Sequence, residues 1–244
     1  MAGEYKLDQG IITFSSLSQY PNLVYGVTTR DFSPDPFDKL SMLKKIIERL
    51  RIEPRLMVCA HQVHETTATE IKSADFPGAD FIEIPATDAL ITTEPGVLIA
   101  VVSADCVPVF LADPRGPQIA VIHAGWRGTY GQIVRKTMRA FQSTGAKPFR
   151  TIAQTGPCIS QKNYQVSEEL IEQFRDKFPA CAAAFEGRQL DLELINLHQL
   201  QKAGVPLDNI HLASLCTFDN TEICASYRRD GKQSGRLYSF MMIR

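Results

Sequence analysis

The stretch from Ser103 to Gly131 places a cysteine directly behind an aspartate, Asp105-Cys106, and later a histidine, His123, ahead of Gly125-Trp126-Arg127-Gly128. A thiolate and an imidazole brought together either bind a metal or share a proton in thiol catalysis. Two apolar runs separate them, joined by Asp113-Pro114-Arg115-Gly116. Asp first, Pro second and Gly fourth is turn chemistry. A hairpin closed by these four residues sets Ala112 opposite Pro117 and, counting outward, Cys106 opposite His123. Directly opposed residues have Cβ atoms about 4.5–5.5 Å apart. Pro108 cannot donate a ladder hydrogen bond, so it marks an edge or irregularity near the cysteine.

The chain has five histidines, none in an H-x-H pair, which argues against a full multicopper site. His198 and His211 read as structural or surface residues, on a helix and in a short strand. His61 and His64 both sit at a strand end, and spacing does not separate them as ligands. A His/Cys/His set leaves a fourth position open for water or substrate, as catalytic zinc requires. With a weak axial Met the same set would suit blue copper. Asp105 or Asp88 could carry a proton or orient a ligand; the bland role for each is local turn capping. Gly125-Trp126-Arg127-Gly128 leads into a helix and is either a plain strand-to-helix turn with a buried Trp or a helix N-terminus that, with Arg127 and the Gly128 backbone, would attract an anion.

These residues need elements to position them. The 244-residue chain is 44% hydrophobic and 22% charged, with a formal net charge of -1, and suits one large domain or two small ones, a single domain over 1–244 being the expectation. That charge gives no global basic field for nucleic acid. The opening MAGEYKLDQG has no apolar secretory core, and no apolar run is long enough to span a membrane, so a cytoplasmic protein is expected. Of the six cysteines, all but Cys106 read as buried small hydrophobes. Strands are expected at Ile11–Phe14, Leu23–Thr28, Leu56–Ala60 with Thr67–Ile71 as its continuation, Ala89–Thr92, Val97–Ser103, Val107–Ala112, Gln118–Ile122, Thr151–Thr155, Ile210–Leu212, Glu222–Ser226 and Leu237–Ile243. Helices are expected over Pro36–Leu50, Gly128–Phe141, Ser167–Phe178 and Asp191–Ala203, with a loop over Lys72–Thr87. Strands and helices do not alternate regularly. This favours an α+β fold, with mixed or packed sheets flanked by helices, over a doubly wound one.

The chain resembles the YfiH-type laccase-domain family, whose members are described as multifunctional purine nucleoside phosphorylases. The resemblance rests on Gln62-Val63-His64, Thr87-Asp88-Ala89-Leu90-Ile91-Thr92, Ala104-Asp105-Cys106-Val107-Pro108 and His123-Ala124-Gly125-Trp126-Arg127-Gly128. It continues through Gly156-Pro157-Cys158-Ile159, Tyr164-Gln165-Val166, Cys216-Thr217 and Ser226-Tyr227-Arg228-Arg229-Asp230. It implies mixed β-sheets packed in a sandwich between helices, and a metal held by His64, Cys106 and His123, zinc first and copper as the alternative. It further implies phosphorolysis of adenosine, inosine, guanosine and methylthioadenosine, with adenosine deamination as a second activity. The partners are then a nucleoside and phosphate. Thr29-Arg30 matches an early family motif and makes Arg30 a candidate catalytic and phosphate-binding residue, beside Arg127, Gly128 and Asp88. Cys106, His123 and Asp105 complete the catalytic candidates. The chain departs from the family pattern at Asp31-Phe32-Ser33, over Pro36–Leu43 and at Glu65.

Other function classes fit the same residues. A Cys106/His123 thiol hydrolase would act on amide bonds without metal. A copper-dependent polyphenol oxidase would consume oxygen. A zinc-stabilised interaction domain would close its site with a fourth protein ligand, such as Cys59, Cys158 or His61.

Overall fold

The computed structural model describes residues 4–32 and 35–244; Ser33, in the divergent segment after Arg30, lies outside them. In chain order the strands are β1 (Tyr5–Asp8), β2 (Ile11–Phe14), β3 (Leu23–Thr28), β4 (Leu56–Ala60), β5 (Ala68–Ile71), β6 (Phe81–Ile84), β7 (Ala89–Thr92), β8 (Val97–Ser103), β9 (Val107–Ala112), β10 (Ile119–Ala124), β11 (Ile152–Thr155), β12 (Phe185–Glu186), β13 (Gln189–Leu190), β14 (Ile210–His211) and β15 (Leu237–Ile243). The helices are α1 (Ser15–Ser18), α2 (Lys39–Leu50), α3 (Trp126–Tyr130), α4 (Ile133–Ser143), α5 (Glu168–Lys177), α6 (Leu192–Lys202) and α7 (Tyr227–Asp230).

Two mixed sheets stack face to face. One has seven strands in the order β1-β2-β3-β15-β8-β4-β6, the other six in the order β14-β11-β9-β10-β7-β5. Ile12, Phe14, Val58 and Val101 from the first sheet meet Leu90, Phe110 and Val121 from the second in a buried seam. The outer face of the six-stranded sheet is covered by α4, α5 and α6 through Val134, Met138, Phe174 and Ile195. The outer face of the seven-stranded sheet is covered by α2 through Met42, Leu43 and Ile46. The fold is therefore α+β, a mixed-sheet sandwich between helical layers. Strands β9 and β10 are buried along their whole length, as their unbroken apolar runs require of strands covered on both faces.

Helix ends follow side-chain chemistry. Asp38 accepts from the Ser41 amide to cap α2, so that helix starts at Lys39 rather than Pro36. Ser167 caps α5 through the Leu170 amide, and Asp191 caps α6 through the Leu194 amide. Three expectations fail. Thr67–Ile71 does not continue β4: β5 pairs with β7 in the opposite sheet, so the His61–Thr67 link crosses the sandwich. The 72–87 loop contains β6, which pairs parallel with β4. Residues 222–226 form no strand; they carry the backbone toward Arg30, whose amide donates to the Ile223 carbonyl at 2.9 Å.

The hairpin register also differs. The Asp113–Gly116 turn forms, with the Gly116 amide donating to the Asp113 carbonyl at 3.1 Å. The ladder, however, closes at Ala112–Ile119, with the Asp113 amide on the Gln118 carbonyl. Pro117 has no N–H to give a partner, so it joins the loop. The Asp113 carboxylate is also drawn aside, accepting from Arg150 Nε at 2.6 Å and the Lys147 amide at 3.0 Å. His123 thus lies opposite Pro108, and Cys106 does not lie opposite His123. The offset is two residues, so each side chain keeps its face of the sheet.

Candidate metal centre

Four chain segments converge where β9 begins and β10 ends. Cys106 stands just before β9, His123 is the penultimate residue of β10, Asp88 stands just before β7, and His64 lies in the link leaving β4. Carrying the register one step past the Val107–Ala124 pair sets Gly125 across from Cys106. A Cβ on Gly125 would lie 2.9 Å from Cys106 Sγ, 3.1 Å from His64 Cδ2 and 3.6 Å from His123 Cε1. The glycine is needed because the three donors close over its backbone. Gly125→Ala is expected to weaken metal affinity while leaving the far-ultraviolet circular dichroism intact; zinc titration of the folded variant checks this.

The donor atoms of His64, Cys106 and His123 all lie within 4.8 Å of one another. The two imidazole rings meet edge to face, 4.8 Å between centroids at 87°. His123 is buried, Cys106 half-buried and His64 exposed, so the group opens outward.

Asp88 organises this group. The β7–β10 register makes it the next cross-strand neighbour of His123, whose amide donates to the Asp88 carbonyl at 2.7 Å. Its fully buried carboxylate accepts a hydrogen bond from His123 Nδ1–H at 2.9 Å, which leaves Nε2 as the nitrogen for a metal. The same carboxylate accepts the successive amides of Val63, His64 and Glu65 at 3.2, 3.0 and 2.9 Å. His64 adopts the left-handed conformation, φ 62°, which turns those amides onto one point. Gln62 fixes the approach by pairing with Val102 like a strand residue, Nε2 to the carbonyl at 2.6 Å and Oε1 from the amide at 2.8 Å. One acid therefore fixes one histidine's tautomer and the backbone that carries the other.

Burial opposes ionisation of Cys106, but the charge and hydrogen bonds of His123 and then His64 outweigh it and hold the thiol down to about 6. Burial alone would lower His123; the Cys106 thiolate and the Asp88 hydrogen bond outweigh it and raise the imidazole to about 9. Asp88 itself stays below the usual carboxylate range: burial opposes this, but His123 and the loop amides prevail. A thiolate, two imidazoles and an open side suit a divalent cation of the zinc type.

The group opens into a cavity of about 570 Å³. Trp126, Tyr164, Tyr227 and Phe37 supply aromatic walls, and Arg127, Arg228, Arg236 and Lys39 supply positive charge. The Arg127 guanidinium lies 4.3 Å from the Trp126 ring and makes no ion pair or side-chain hydrogen bond among the described residues. Asp105 lines the cavity in a left-handed conformation, φ 89°. Its carboxylate accepts the Thr217 hydroxyl and the Arg228 amide, both at 2.6 Å.

Three candidate residues lie elsewhere. Arg30 is not on the cavity wall; its guanidinium donates to the Thr221 carbonyl at 2.9 Å. Gly128 is buried inside α3, where a Cβ would lie 3.0 Å from the Glu65 carbonyl, and offers no surface to an anion. Asp88 lies beneath His123, not at the cavity surface. The expected 128–141 helix is two helices: α3 starts at Trp126, and Gln132, φ 62°, separates it from α4. The GWRG glycines give close packing, Gly125 against the three donors and Gly128 against the Glu65 carbonyl. Lys39, Tyr164, Tyr227, Arg228 and Arg236 were not among the sequence candidates. Only the sequence blocks around Tyr164 and Tyr227-Arg228 pointed toward any of them.

Residues 16–244 match the family model described as multi-copper polyphenol oxidoreductase laccase. The chain belongs to that family. It is 33% identical to a purine nucleoside phosphorylase of Bacteroides thetaiotaomicron, covering 97% of each chain. It is 36% identical to a purine nucleoside phosphorylase of Corynebacterium glutamicum, covering 81% of this chain and 78% of the relative. Among solved structures it superposes on the Bacillus licheniformis hypothetical protein YfiH with a TM-score of 0.85 at 27% identity, covering 98% and 99% of the two chains. YlmD from Geobacillus stearothermophilus gives 0.84 at 26% identity, with 98% of each chain covered. Family membership agrees with the three-donor group, and no helix among the described residues is long and apolar enough to cross a membrane.

Proposed function

We propose that this cavity is the active centre of a zinc-dependent purine nucleoside phosphorylase acting on adenosine, inosine, guanosine and methylthioadenosine, with adenosine deamination as a second activity. One observation carries the reading: an open three-donor group and the unpaired Arg127 guanidinium face the same aromatic-walled cavity, whose volume of about 570 Å³ suits a nucleoside. The named activity of the relatives supports it.

His64, Cys106 and His123 would hold the zinc. The donor chemistry, the space left by Gly125 and the fixed His123 tautomer all fit it. When bound, zinc supplies Lewis acidity toward a substrate oxygen or a water. The protein's own groups do the rest. Arg127 and Arg228 would hold phosphate against C1′, since guanidinium groups pair with its oxygens in fork geometry. Trp126, Tyr164 and Tyr227 offer faces on which a purine can stack and exclude water. Asp105 is the carboxylate on the cavity wall and would relay a proton from the dihydrogen form of phosphate to N7 of the departing base. The Thr217 hydroxyl and the Arg228 amide hold its two oxygens in place. Arg127→Ala is expected to raise the KM for phosphate about tenfold or more, with little change in melting temperature, because among the described residues its guanidinium makes no ion pair or side-chain hydrogen bond and only stacks on Trp126.

The deciding experiment incubates metal-quantified protein with adenosine, with and without phosphate, and resolves adenine, inosine and ribose 1-phosphate. Phosphate-dependent adenine supports phosphorolysis, and phosphate-independent inosine supports deamination. No free adenine from protein carrying stoichiometric zinc would sink the phosphorylase reading.

A second reading has its own support. Asp88, His123 and Cys106 form a carboxylate–imidazole–thiol relay with the thiol held down to about 6, the arrangement of a thiol hydrolase. Metal-free protein that hydrolyses amides and is stopped by alkylation would favour it. Zinc protection of Cys106 from alkylation would favour the phosphorylase. Copper-dependent oxygen uptake with phenols tests the oxidase that the family's description suggests.

A further inference from the structure

A second cavity, of about 220 Å³, lies apart from the metal donors and is lined by Cys158, Cys216, Ser160, Asp191 and Glu193 among others. Cys158 and Cys216 are partners in a parallel β-bridge. The Cys158 amide donates to the Leu215 carbonyl at 3.2 Å, and the Thr217 amide donates to the Cys158 carbonyl at 2.9 Å. Neighbouring strands lie about 4.8 Å apart, inside the Cα separation that a disulfide spans. Both cysteines are free, and both line the one cavity. Three donors converge on the Cys216 sulfur: the Ser160 hydroxyl at 3.1 Å, the Asn163 amide at 3.3 Å and the Ser160 backbone N–H at 3.4 Å. Cys59, Cys181 and Cys224 are also buried but show no such arrangement.

We infer that Cys158 and Cys216 are a modification site for hydroperoxides, an oxidation-sensitive pair that closes into a disulfide and loosens Asp105. Cys216 gives up its proton and its sulfur attacks one peroxide oxygen. The O–O bond breaks, leaving Cys216 as a sulfenic acid, and the departing hydroxide takes the proton as water. The Cys158 sulfur then attacks the Cys216 sulfur, the S–O bond breaks, and the thiol proton leaves with that hydroxyl as a second water. Two thiols are oxidised by two electrons in all, and one hydrogen peroxide is reduced to two waters. Burial pushes Glu193 in this cavity up to about 7, where a carboxyl can take up and pass on the Cys158 proton.

The connection to the first site is short and runs through two hydrogen bonds. The residue after Cys216, Thr217, donates to the Asp105 carboxylate, and the residue after Cys158, Ile159, donates its amide to the Asp105 carbonyl at 3.0 Å. Drawing the two sulfurs into a bond shifts both clamps together. The effect on turnover rests on the nucleoside reading above; the oxidation chemistry does not.

The test starts with Cys106→Ser protein treated with equimolar hydrogen peroxide, digested with trypsin without reduction and mapped by mass. The expected product joins peptides 151–162 and 203–228, lies about two mass units below their sum as two hydrogens are lost, and separates on reduction. Fragmentation must place the link on Cys216, not Cys224. Recovery of both cysteines unlinked, or oxidised only to sulfinic and sulfonic acids, would overturn the proposal. Zinc-loaded wild type should then lose turnover with peroxide and regain it with dithiol, and Cys216→Ser should resist. Equal loss in Cys216→Ser would overturn the coupling to Asp105. The peptide map needs no substrate, so failure of the nucleoside reading would be seen separately.

Discussion

Zinc affinity is expected to fall about a thousandfold as the pH is lowered from 9 to 6, near tenfold per unit, and more steeply below 6. The sign follows from which protons the cation must displace. Above about 9, His123 has lost its extra proton and Cys106 is a thiolate, so binding releases none from this pair. Between about 9 and about 6 the metal-free pair is thiolate beside imidazolium, and binding expels one proton, from His123 Nε2. Below about 6 the thiol must ionise as well. An isolated cysteine and histidine would show a similar slope, but with the proton on sulfur. The source of the proton separates the two cases. In metal-free protein the ultraviolet thiolate absorbance of Cys106 should rise with a midpoint near 6, and His123→Gln should move that midpoint up toward the ordinary thiol range. Chelator competition gives the affinities, and indicator dye gives the protons released. A midpoint near that of an unpaired thiol would show that His123 does not carry the proton.

How much of this could be read from the sequence depends on range along the chain. Short-range signals were legible: the apolar runs of β8, β9 and β10, the Ser167 and Asp191 caps, and the turn at Asp113–Gly116 all form. Turn residues fix a turn but not how far a ladder extends beyond it. The register depended on Pro117 lacking a donor and on Arg150 and Lys147 drawing Asp113 away, and the latter two come from a distant segment. Cys106 and His123 still meet, because an offset of two preserves the face, and Gly125 lets the sulfur approach. The choice between His61 and His64 was not legible from spacing. It turns on Asp88 gathering the amides of Val63, His64 and Glu65, an interaction across the sandwich; His61 instead faces Glu83, Nδ1 to Oε1 at 3.3 Å. Arg228 and Arg236 reach the cavity from the C-terminal part of the chain, and no local pattern distinguishes them from Arg30, which points to Thr221.

The centre of the site is therefore an acid that never reaches the cavity, and replacing it tests the arrangement most directly. Asp88→Asn is expected to lower zinc affinity about 10- to 100-fold. An aspartate presents two acceptor oxygens; asparagine keeps one and turns an NH₂ toward donors. In the native protein Oδ1 takes the His123 ring and the His64 amide, while Oδ2 takes the amides of Val63 and Glu65. If the asparagine oxygen stays with His123, the Val63 and Glu65 amides face an NH₂ and lose their acceptor. Each of these amides loses a hydrogen bond to a charged group, worth about 1.5–3 kcal/mol, enough to release the His64 loop. If the amide flips, His123 loses its acceptor and nothing holds Nε2 free for the metal. Either way one imidazole is lost from its place, and zinc affinity and melting temperature fall together. Asp88→Glu should not rescue, because this position is fully buried and has no room for another methylene. Nitrogen chemical shifts of the His123 ring distinguish the outcomes: loss of the Nδ1–H form marks the flipped amide, and its retention with weakened zinc binding marks the freed loop. Unchanged zinc affinity in a folded Asp88→Asn protein would show that the carboxylate does not position the donors.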